Sequence, residues 1–331
     1  MSATGETPLL PAETRARVLG SGKIGHEVHC LGLARALGLE PDVRPVRPRW
    51  PWTLLAPFGP ADPREAGAGG GLAAPWPDIA IAAGRLTIPA LRHVKRASGG
   101  RVFTVCMQDP RVGVRAADAI WVPEHDSLRG GNVIVTLTSP HGLGAGALDA
   151  ARRAPDPRVA ALAAPRVAMI LGGPSAHHRF EPADIAALAR IAAEIVAAGH
   201  SLAVTPSRRT PPEAVTAIRL ALAGVDPARA FLWDGAGPNP YVHMLALADA
   251  ILVTADSANM MGEALAPGVP VHVYEPTGGH RKMSAFLDRL VAEGHVRRWR
   301  GALETWPCRP VDATREIAVE VARRYGAFRG R

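Results

Sequence analysis

Short apolar runs alternate with segments of helical periodicity along this chain, and the alternation occurs twice. In the first half, Ala16–Gly20 and Asp78–Ala83 predict strands, and Gly25–Leu37 predicts a helix between them. In the second half, Arg166–Leu171 predicts a strand and Pro182–Ala198 an amphipathic helix. Strands that alternate with helices are typical of parallel sheets covered on both faces. We therefore expect an α/β chain with two Rossmann-like, doubly wound domains that face each other across a cleft.

The length of the chain sets the number of domains. At about 150 residues per domain, a chain of 331 residues predicts two. The segment Ala151–Pro165 is rich in Pro and Arg, which suits a linker. We expect an N-terminal domain over 1–155, a C-terminal domain over 156–312, and a last helix over 313–331 that crosses back onto the first domain.

Composition and charge exclude several classes of protein. With 47% hydrophobic and 21% charged residues, the chain has enough apolar side chains to form cores and is not a disordered protein. It contains neither an apolar run long enough for a membrane-spanning helix nor the pattern of a signal peptide. We expect a cytoplasmic protein. Peripheral association with the inner membrane stays open as an alternative.

Cysteine usage and net charge constrain the ligands. The three cysteines form no CxxC pair, and no His/Cys set has metal-ligand spacing, so we expect no metal site. We also expect no bound cofactor. The net charge of +8 favours anionic partners. Nucleic acid is not an expected partner, because no helix-turn-helix or RNA-recognition pattern occurs. The sequence does not predict an oligomeric state.

A glycine-rich turn follows the first predicted strand. Gly22 and Gly25 flank Lys23 where the next helix begins, an arrangement that presents backbone N–H groups to an anion. The turn is not a P-loop, because no Ser or Thr follows Lys23. His26 at the helix start, beside Glu27 and Lys23, is a candidate general base. The alternative is a histidine that caps or packs the turn.

Polar side chains also follow the later strands of the first half, and the carboxyl ends of parallel strands form the ligand-binding edge of such sheets. We expect these side chains to face a substrate, with ordinary turn formation as the alternative. They are Arg85, Gln108, Asp109, Arg111, Glu124 and His125. Among them, Asp109 is the second choice for the general base.

The second half collects polar residues at one predicted sheet edge in the same way. The adjacent Arg208 and Arg209 favour an anion site, because guanidinium groups match the geometry of phosphate oxygens. The joint placement predicts a nucleotide or sugar-phosphate site, although each residue taken alone fits a solvated loop. The set comprises Gly172, Gly173, Pro174, Ser175, Ser207, Arg208, Arg209, Asp234, Asn239, Tyr241, Ser257 and Glu263.

The segment Pro45–Pro77 interrupts the alternation. It holds Trp50, Trp52, Leu54 and Phe58 among many prolines. One interpretation is a long surface loop. The other is an apolar loop, Trp50–Phe58, that enters a membrane interface, where Trp rings lie at headgroup depth and nearby arginines contact phosphate.

Several of these segments resemble the mitochondrial-fission family that is named for the plant elongated-mitochondria protein and includes bacterial relatives. The resemblance extends from about residue 18 to 300. Its segments are GKIGHE (Gly22–Glu27), WPDIAIAAGR (Trp76–Arg85), QDPR (Gln108–Arg111), VPEHDSLRGGNV (Val122–Val133), LGGPS (Leu171–Ser175), TPSRRTPPEA (Thr205–Ala214), FLWDGAGPNPY (Phe231–Tyr241) and LADAILVTADSANMMGEA (Leu247–Ala264).

The layout is also similar to that of GT-B glycosyltransferases. That resemblance implies an acceptor-binding turn ending at His26, a donor-diphosphate turn at Gly172–Ser175, and a ribose-binding Glu263. It implies metal-independent transfer of a sugar from a nucleotide-sugar, with a UDP-sugar favoured, to a membrane-associated or lipid-linked acceptor. The first turn departs from the pattern, because Lys23-Ile24 replaces small residues. Two alternatives stay open: an enzyme similar to nucleotide-sugar 2-epimerases, and a non-catalytic adaptor at a membrane surface.

Overall fold

The computed structural model describes residues 8–67, 69–124 and 126–330. They form two compact units. The first contains the described residues up to Gly144 together with those from Asp312 onward, and the second is Ala145–Val311. Each unit contains one six-stranded sheet in which all paired strands are parallel. This α/β architecture confirms the fold class expected from the alternating pattern.

The first sheet has the strand order β2-β1-β3-β4-β5-β6. The order reverses between β1 and β3, and ligands of doubly wound sheets bind at such a point, outside the carboxyl ends of the strands. The strands are β1 (Ala16–Gly20), β2 (Asp42–Pro45), β3 (Ile79–Ala82), β4 (Phe103–Cys106), β5 (Ala119–Pro123) and β6 (Val133–Thr136).

Both faces of this sheet are buried, as the strand sequences require. In β3, Ile79 and Ile81 point into one core cluster, and Ala80 and Ala82 point into the other. This two-residue period places apolar side chains on both faces and explains why the run is apolar throughout. The helices before Gly144 are α1 (Ile24–Ala36), α2 (Trp52–Leu55), α3 (Pro63–Ala66) and α4 (Ile88–Ala97).

The second sheet has the order β12-β11-β10-β7-β8-β9, the Rossmann order, with its reversal between β7 and β10. Its strands are β7 (Arg166–Leu171), β8 (Ser201–Pro206), β9 (Ala230–Leu232), β10 (Ala250–Thr254), β11 (Val271–Tyr274) and β12 (Arg297–Arg298). Its helices are α5 (Ala145–Arg153), α6 (Pro157–Ala160), α7 (Pro182–Ala197), α8 (Pro212–Ala221), α9 (Tyr241–Leu247), α10 (Ala258–Ala264) and α11 (Arg281–Ala292).

The sequence between the two sheets is helical where a linker was expected. Helices α5 and α6 both pack against α9, so they belong to the second unit. The first unit therefore ends at Gly144 rather than near residue 155. Arg152 Nε donates to the Ala246 carbonyl at 3.1 Å, which ties α5 to the end of α9.

The last helix, α12 (Ala313–Arg329), belongs to the first unit. Asp312 caps its first turn through the amide groups of Thr314 and Arg315. Ile317 and Val321 are fully buried in the cluster that contains Leu33 of α1. Helix α12 therefore covers the same face of the first sheet as α1.

Strands β2 and β12 lie outside the elements that the sequence predicted. Both are edge strands of two to four residues, and their sequences, DVRP and RR, carry no apolar alternation. Their pairing is set by the neighbouring strand and not by their own pattern. Within the described residues, no helix is both long and apolar enough to cross a membrane.

His29 on α1 is a half-buried titratable group in the first unit. Its ring meets the Trp121 ring edge-on, with centroids 5.7 Å apart. Burial, and then the neighbouring His26 and His141, lower the pKa of His29 from 6.5 to about 4. The imidazole is therefore neutral in the folded protein at neutral pH.

We expect His29 to reduce stability as the pH falls from about 6.5 to about 4. In that range the unfolded chain binds a proton at His29 that the folded protein excludes, so stability rises with pH. At pH 5 the loss is about 1–2 kcal/mol by linkage. Chemical denaturation at pH 7.5 and 5 should show a smaller pH effect for His29→Phe than for the parent chain. His200→Phe in the second unit is the control and should keep the parent's pH effect. An equal loss in His29→Phe would contradict the assignment.

Candidate functional site

Asp256, which follows β10, is the centre of a hydrogen-bond cluster at the point where the order of the second sheet reverses. Its side chain is fully buried. The Thr254 hydroxyl donates to Oδ1 at 2.6 Å, and the Gly173 amide donates to Oδ2 at 3.0 Å. Thr254 Oγ1 in turn accepts the Gly172 amide at 2.8 Å. The carboxylate thus joins the turn after β7 to the end of β10.

The close approach explains both glycines of this turn. A Cβ at Gly172 would lie 2.0 Å from Asp256 Oδ1, and a Cβ at Gly173 would lie 2.0 Å from the Arg209 carbonyl oxygen. Both separations are far shorter than two non-bonded atoms allow, so both positions require glycine. The amide groups of Gly172 and Gly173 already have acceptors within the chain, and Ser175 N donates to the His178 carbonyl. Pro174 carries no N–H.

The two adjacent arginines differ in their contacts. Arg209 donates to Asp256 Oδ2 at 2.8 Å and to the carbonyls of Gly173 and Pro174 at 2.9 and 3.1 Å. It therefore holds the turn after β7 against the one after β8. Arg208 is exposed and has no hydrogen-bond or ion-pair partner in the described part of the chain. Of the pair, Arg208 is the one whose guanidinium is available to a ligand.

Ser207 and Ser175 both stabilise their own turns. The Ser207 amide donates to Thr210 Oγ1 at 2.8 Å, and its hydroxyl lies 3.1 Å from that atom. Ser175 Oγ accepts the amides of His177 and His178 at 3.2 and 3.0 Å. The turn chemistry that the sequence offered as the alternative is therefore present at both serines.

Tyr241 and Glu263 are brought together at the carboxyl edge of the second sheet. The Tyr241 hydroxyl donates to Glu263 Oε2 at 2.6 Å. Burial raises the pKa of Glu263, and the bond from Tyr241 opposes that shift. Burial and the adjacent Glu263 raise the pKa of Tyr241, so the phenol stays protonated and remains the donor. Oε1 of Glu263 has no partner among the described residues and is free to accept from a ligand hydroxyl.

Three further residues of the second set form local turns or caps. Asp234 Oδ1 accepts the Ala236 amide at 2.9 Å. Asn239 Oδ1 accepts the Tyr241 amide at 3.0 Å and so leads the chain into α9. Ser257 is the N-cap of α10 and accepts from Met260 N. The structure brings Ser257 and Glu263 to the same short helix, while Asp234 lies exposed on the loop after β9.

The glycine turn of the first unit is closed by its own carboxylate. Glu27 Oε1 accepts the Gly22 amide at 3.0 Å, and a Cβ at Gly20 would lie 2.9 Å from the same oxygen. Lys23 is exposed and precedes α1, and Gly25 lies in the first turn of that helix. The Gly22 amide, expected to face an anion, therefore already has an anionic partner.

His26 is positioned by contacts on both sides. Its Nδ1 lies 2.9 Å from Ser21 Oγ. Gly84, with a φ of +98°, passes so close that a Cβ there would lie 2.4 Å from Nδ1. Burial, followed by Lys23, lowers the pKa of His26, whereas Glu27 raises it. A neutral imidazole held in this way fits the role of proton acceptor.

The remaining residues of the first set have separate environments. Arg85 donates to the Ala56 carbonyl at 2.6 Å. Asp109 accepts the Arg111 amide at 2.7 Å in a turn where Arg111 has a φ of 62°. The main chains of Gln108 and Glu124 accept from Cys106 Sγ and from Arg129, respectively. His125 lies outside the described residues.

The segment around α2 presents apolar side chains to solvent. Trp50, Leu54 and Phe58 are 78%, 72% and 70% exposed. Arg49 forms a two-bond contact with the buried Asp62 and lies over the Trp52 ring at 5.4 Å. Arg49 thus links the start of this segment to Asp62.

Asp256, Glu27 and Gly84 organise these sites, and the sequence pattern placed them at the two sheet edges without predicting their contacts. Asp256 and Glu27 occur within the quoted motifs, and their signal is an acidic residue immediately after a strand or at a helix start. Gly84 also lies in a quoted motif, but nothing local marks its contact with His26. That contact joins segments far apart in the chain.

The two units together define a protein class. A pair of parallel, Rossmann-like α/β units with a returning C-terminal helix is the fold of GT-B glycosyltransferases and sugar-nucleotide epimerases, which confirms the layout resemblance. The family model described as "Mitochondrial fission ELM1" matches residues 24–325, so the chain belongs to that family.

One sequence relative and two solved structures are similar to this chain. The mitochondrial fission protein ELM1 of Arabidopsis thaliana is 28% identical over 393 residues, covering 95% of this chain and 91% of the relative. The UDP-GlcNAc 2-epimerase of Methanocaldococcus jannaschii has a TM-score of 0.53 at 10% identity, covering 93% of this chain and 98% of its own. The kitacinnamycin glycotransferase has a TM-score of 0.50 at 15% identity, covering 97% and 95%. At these identities the solved structures show the fold alone.

We expect Asp256→Asn to destabilise the second unit by about 2–3 kcal/mol, because it removes charge-assisted hydrogen bonds from a buried site. Chemical denaturation measures the change. Asp234→Asn is the matched control, since Asp234 is exposed, and it should shift stability by less than about 0.5 kcal/mol. Equal, small effects for both variants would show that Asp256 does not organise the turn.

Proposed function

We propose that this protein is a GT-B-type glycosyltransferase that moves a sugar from a nucleotide-sugar, with a UDP-sugar favoured, to a membrane-associated or lipid-linked acceptor, without a metal ion or bound cofactor. The observation that carries the donor half is the Tyr241–Glu263 pair. It presents one unpartnered carboxylate oxygen at the sheet edge where doubly wound folds bind nucleotides.

The second unit supplies the groups that a nucleotide-sugar requires. Glu263 Oε1 accepts from ribose hydroxyls, while Tyr241 fixes the carboxylate from its other side. The Arg208 guanidinium binds the diphosphate oxygens. It is available to do so because it has no partner in the described part of the chain. Arg209 acts indirectly by holding the turn Gly172–Ser175 against Asp256. We assign the diphosphate to the Arg208 side chain rather than to the amides of that turn, because those amides have acceptors already.

In the first unit, His26 is the proposed general base. The acceptor hydroxyl oxygen bonds to the anomeric carbon, the bond from that carbon to the diphosphate breaks, and the hydroxyl proton passes to His26 Nε2. The nucleoside diphosphate leaves with the bonding electrons. The lowered pKa of His26, caused mainly by burial, favours the neutral imidazole. In the tautomer that this role requires, Nδ1 donates to Ser21 Oγ, which orients the ring and leaves Nε2 as the acceptor.

The donor site is tested by UDP binding. UDP at 100 times its dissociation constant should stabilise the protein by about 2.7 kcal/mol, which a thermal shift registers. Glu263→Gln and Arg208→Gln should each weaken UDP binding by about tenfold or more, because each removes a charged hydrogen-bonding group. Calorimetric titration gives the dissociation constants.

The control for these variants is Glu213→Gln. Glu213 is an exposed carboxylate at the start of α8 in the same unit, and its loss should leave UDP binding unchanged. Failure of UDP, GDP, CMP, ADP and dTDP alike to stabilise the parent chain would overturn the donor site and favour a non-catalytic adaptor at a membrane surface.

The membrane-borne acceptor rests on the exposed Trp50, Leu54 and Phe58. Burial of such side chains in the headgroup boundary favours binding in proportion to apolar area, and exposed Arg44 and Arg47 nearby add attraction to anionic lipid. The cation–π contact of Arg49 with Trp52 and its ion pair with Asp62 link α2 to the rest of the segment.

We expect the chain to co-sediment with vesicles that contain phosphatidylglycerol. Replacement of Trp50, Leu54 and Phe58 by Ser should lower the partition constant at least about tenfold, since each loses apolar burial. Leu220→Ser is the control, because Leu220 is 71% exposed on α8 in the second unit. Equal loss from the Leu220 variant, or no loss from the triple variant, would contradict docking through α2.

A further inference from the structure

A cavity of about 280 Å³ opens at the amino edge of the first sheet, beside helix α12. Phe103 at the start of β4, Asn132 just before β6, and Arg324 and Phe328 of α12 line it. His26 follows the carboxyl end of β1, so the cavity lies at the opposite edge of the same sheet. It is independent of the site to which the proposed function is assigned.

The helix side of the cavity carries an excess of positive charge. Arg323 donates from Nε and Nη2 to the two oxygens of Glu320, both at 2.7 Å. Arg324 donates from Nε to Glu320 Oε1 at 2.6 Å. Two guanidinium groups therefore share one carboxylate. These hydrogen bonds, of which the one from Arg323 has the largest effect, lower the pKa of Glu320 to about 2. Glu320 is therefore ionised at neutral pH, and Glu320, Arg323 and Arg324 together keep one net positive charge.

Most of the hydrogen-bond donors of the Arg324 guanidinium have no acceptor among the described residues. Its side chain is only 17% exposed, yet Nε is its one nitrogen with a partner among the described residues. Nη1 is buried and has no acceptor there. Nη2 also has no partner among the described residues, and unlike Nη1 it is not closed off from solvent, so it is the group that an anion in the adjoining cavity would meet.

The one carboxylate that lines the cavity is already neutralised. Asp118 accepts from Lys95 Nζ at 2.8 and 2.9 Å, and from the amide and hydroxyl of Thr104 at 2.8 and 2.7 Å. Lys95 Nζ also lies 4.5 Å from the centroid of the Phe328 ring. The charge of Asp118 is thus balanced locally and leaves the excess on the α12 arginines.

The apolar part of the wall is formed by Phe103, Ala327 and Phe328, next to Gly131 and Asn132. The rings of Phe103 and Phe328 meet edge to face with centroids 5.4 Å apart, and Ala327 lies beside them. We propose that this cavity binds a small organic anion, a carboxylate or a phosphate monoester, that carries an apolar group. The oxyanion accepts from Arg323 and Arg324, and the apolar group packs on Phe328 and Ala327.

Calorimetric titration of the full chain with benzoate and with phenyl phosphate tests this site. The anion that binds more tightly identifies the oxyanion that the site prefers. Arg324→Gln should weaken that binding about tenfold, through lost charge-assisted hydrogen bonds, while Arg323 keeps Glu320 paired. Ala327→Leu should weaken it similarly by filling the cavity, and it removes no charge.

Arg190→Gln is the matched control, because Arg190 also pairs with a glutamate one helical turn away, on α7 of the second unit. It should leave binding unchanged. The proposal is overturned if neither anion binds at up to about 10 mM, or if Arg190→Gln weakens binding as much as Arg324→Gln. Benzyl alcohol bound as tightly as benzoate would refute the role of the charge. Inorganic phosphate bound as tightly as phenyl phosphate would refute that of the apolar wall.

Discussion

The carboxylate of Asp256 is the contact on which the edge of the second sheet depends. It is fully buried, yet three donors compensate its charge: the Gly173 amide, the Thr254 hydroxyl and the Arg209 guanidinium. Because the sheet order reverses between β7 and β10, this single group joins the two strand ends that border the nucleotide-binding position of the fold. The glycine at 172 follows from the same contact, since any side chain there would collide with the carboxylate.

The first unit uses the same device with a different residue. Glu27 accepts the Gly22 amide, just as Asp256 accepts the Gly173 amide. In both units a turn that the sequence marks for external anions is satisfied by a carboxylate of the chain itself. A glycine turn after a strand predicts where backbone amides converge, but it does not predict whether the acceptor is a ligand or a nearby side chain.

The same distinction separates what the sequence could predict from what it could not. Strands β3 and β7 were predictable because buried parallel strands are continuous apolar runs. The edge strand β2 was not, because its four residues hold two charges and a proline. The placement of polar residues at strand ends followed from topology. The different contacts of Arg208 and Arg209 did not, because the Arg209 partner lies 47 residues away in the sequence.

The proposed chemistry depends on groups that the fold leaves without internal partners. Many polar side chains at both sheet edges form hydrogen bonds within their own turns or cap a helix, as Ser175 and Asp109 do. Arg208, Glu263 Oε1 and His26 Nε2 have no partner in the described part of the chain. These are a cation, an anion and a neutral base, the three kinds of group that diphosphate, ribose and an acceptor hydroxyl require. The proposed glycosyltransferase reaction relies on these three groups, because the fold itself is shared with an epimerase.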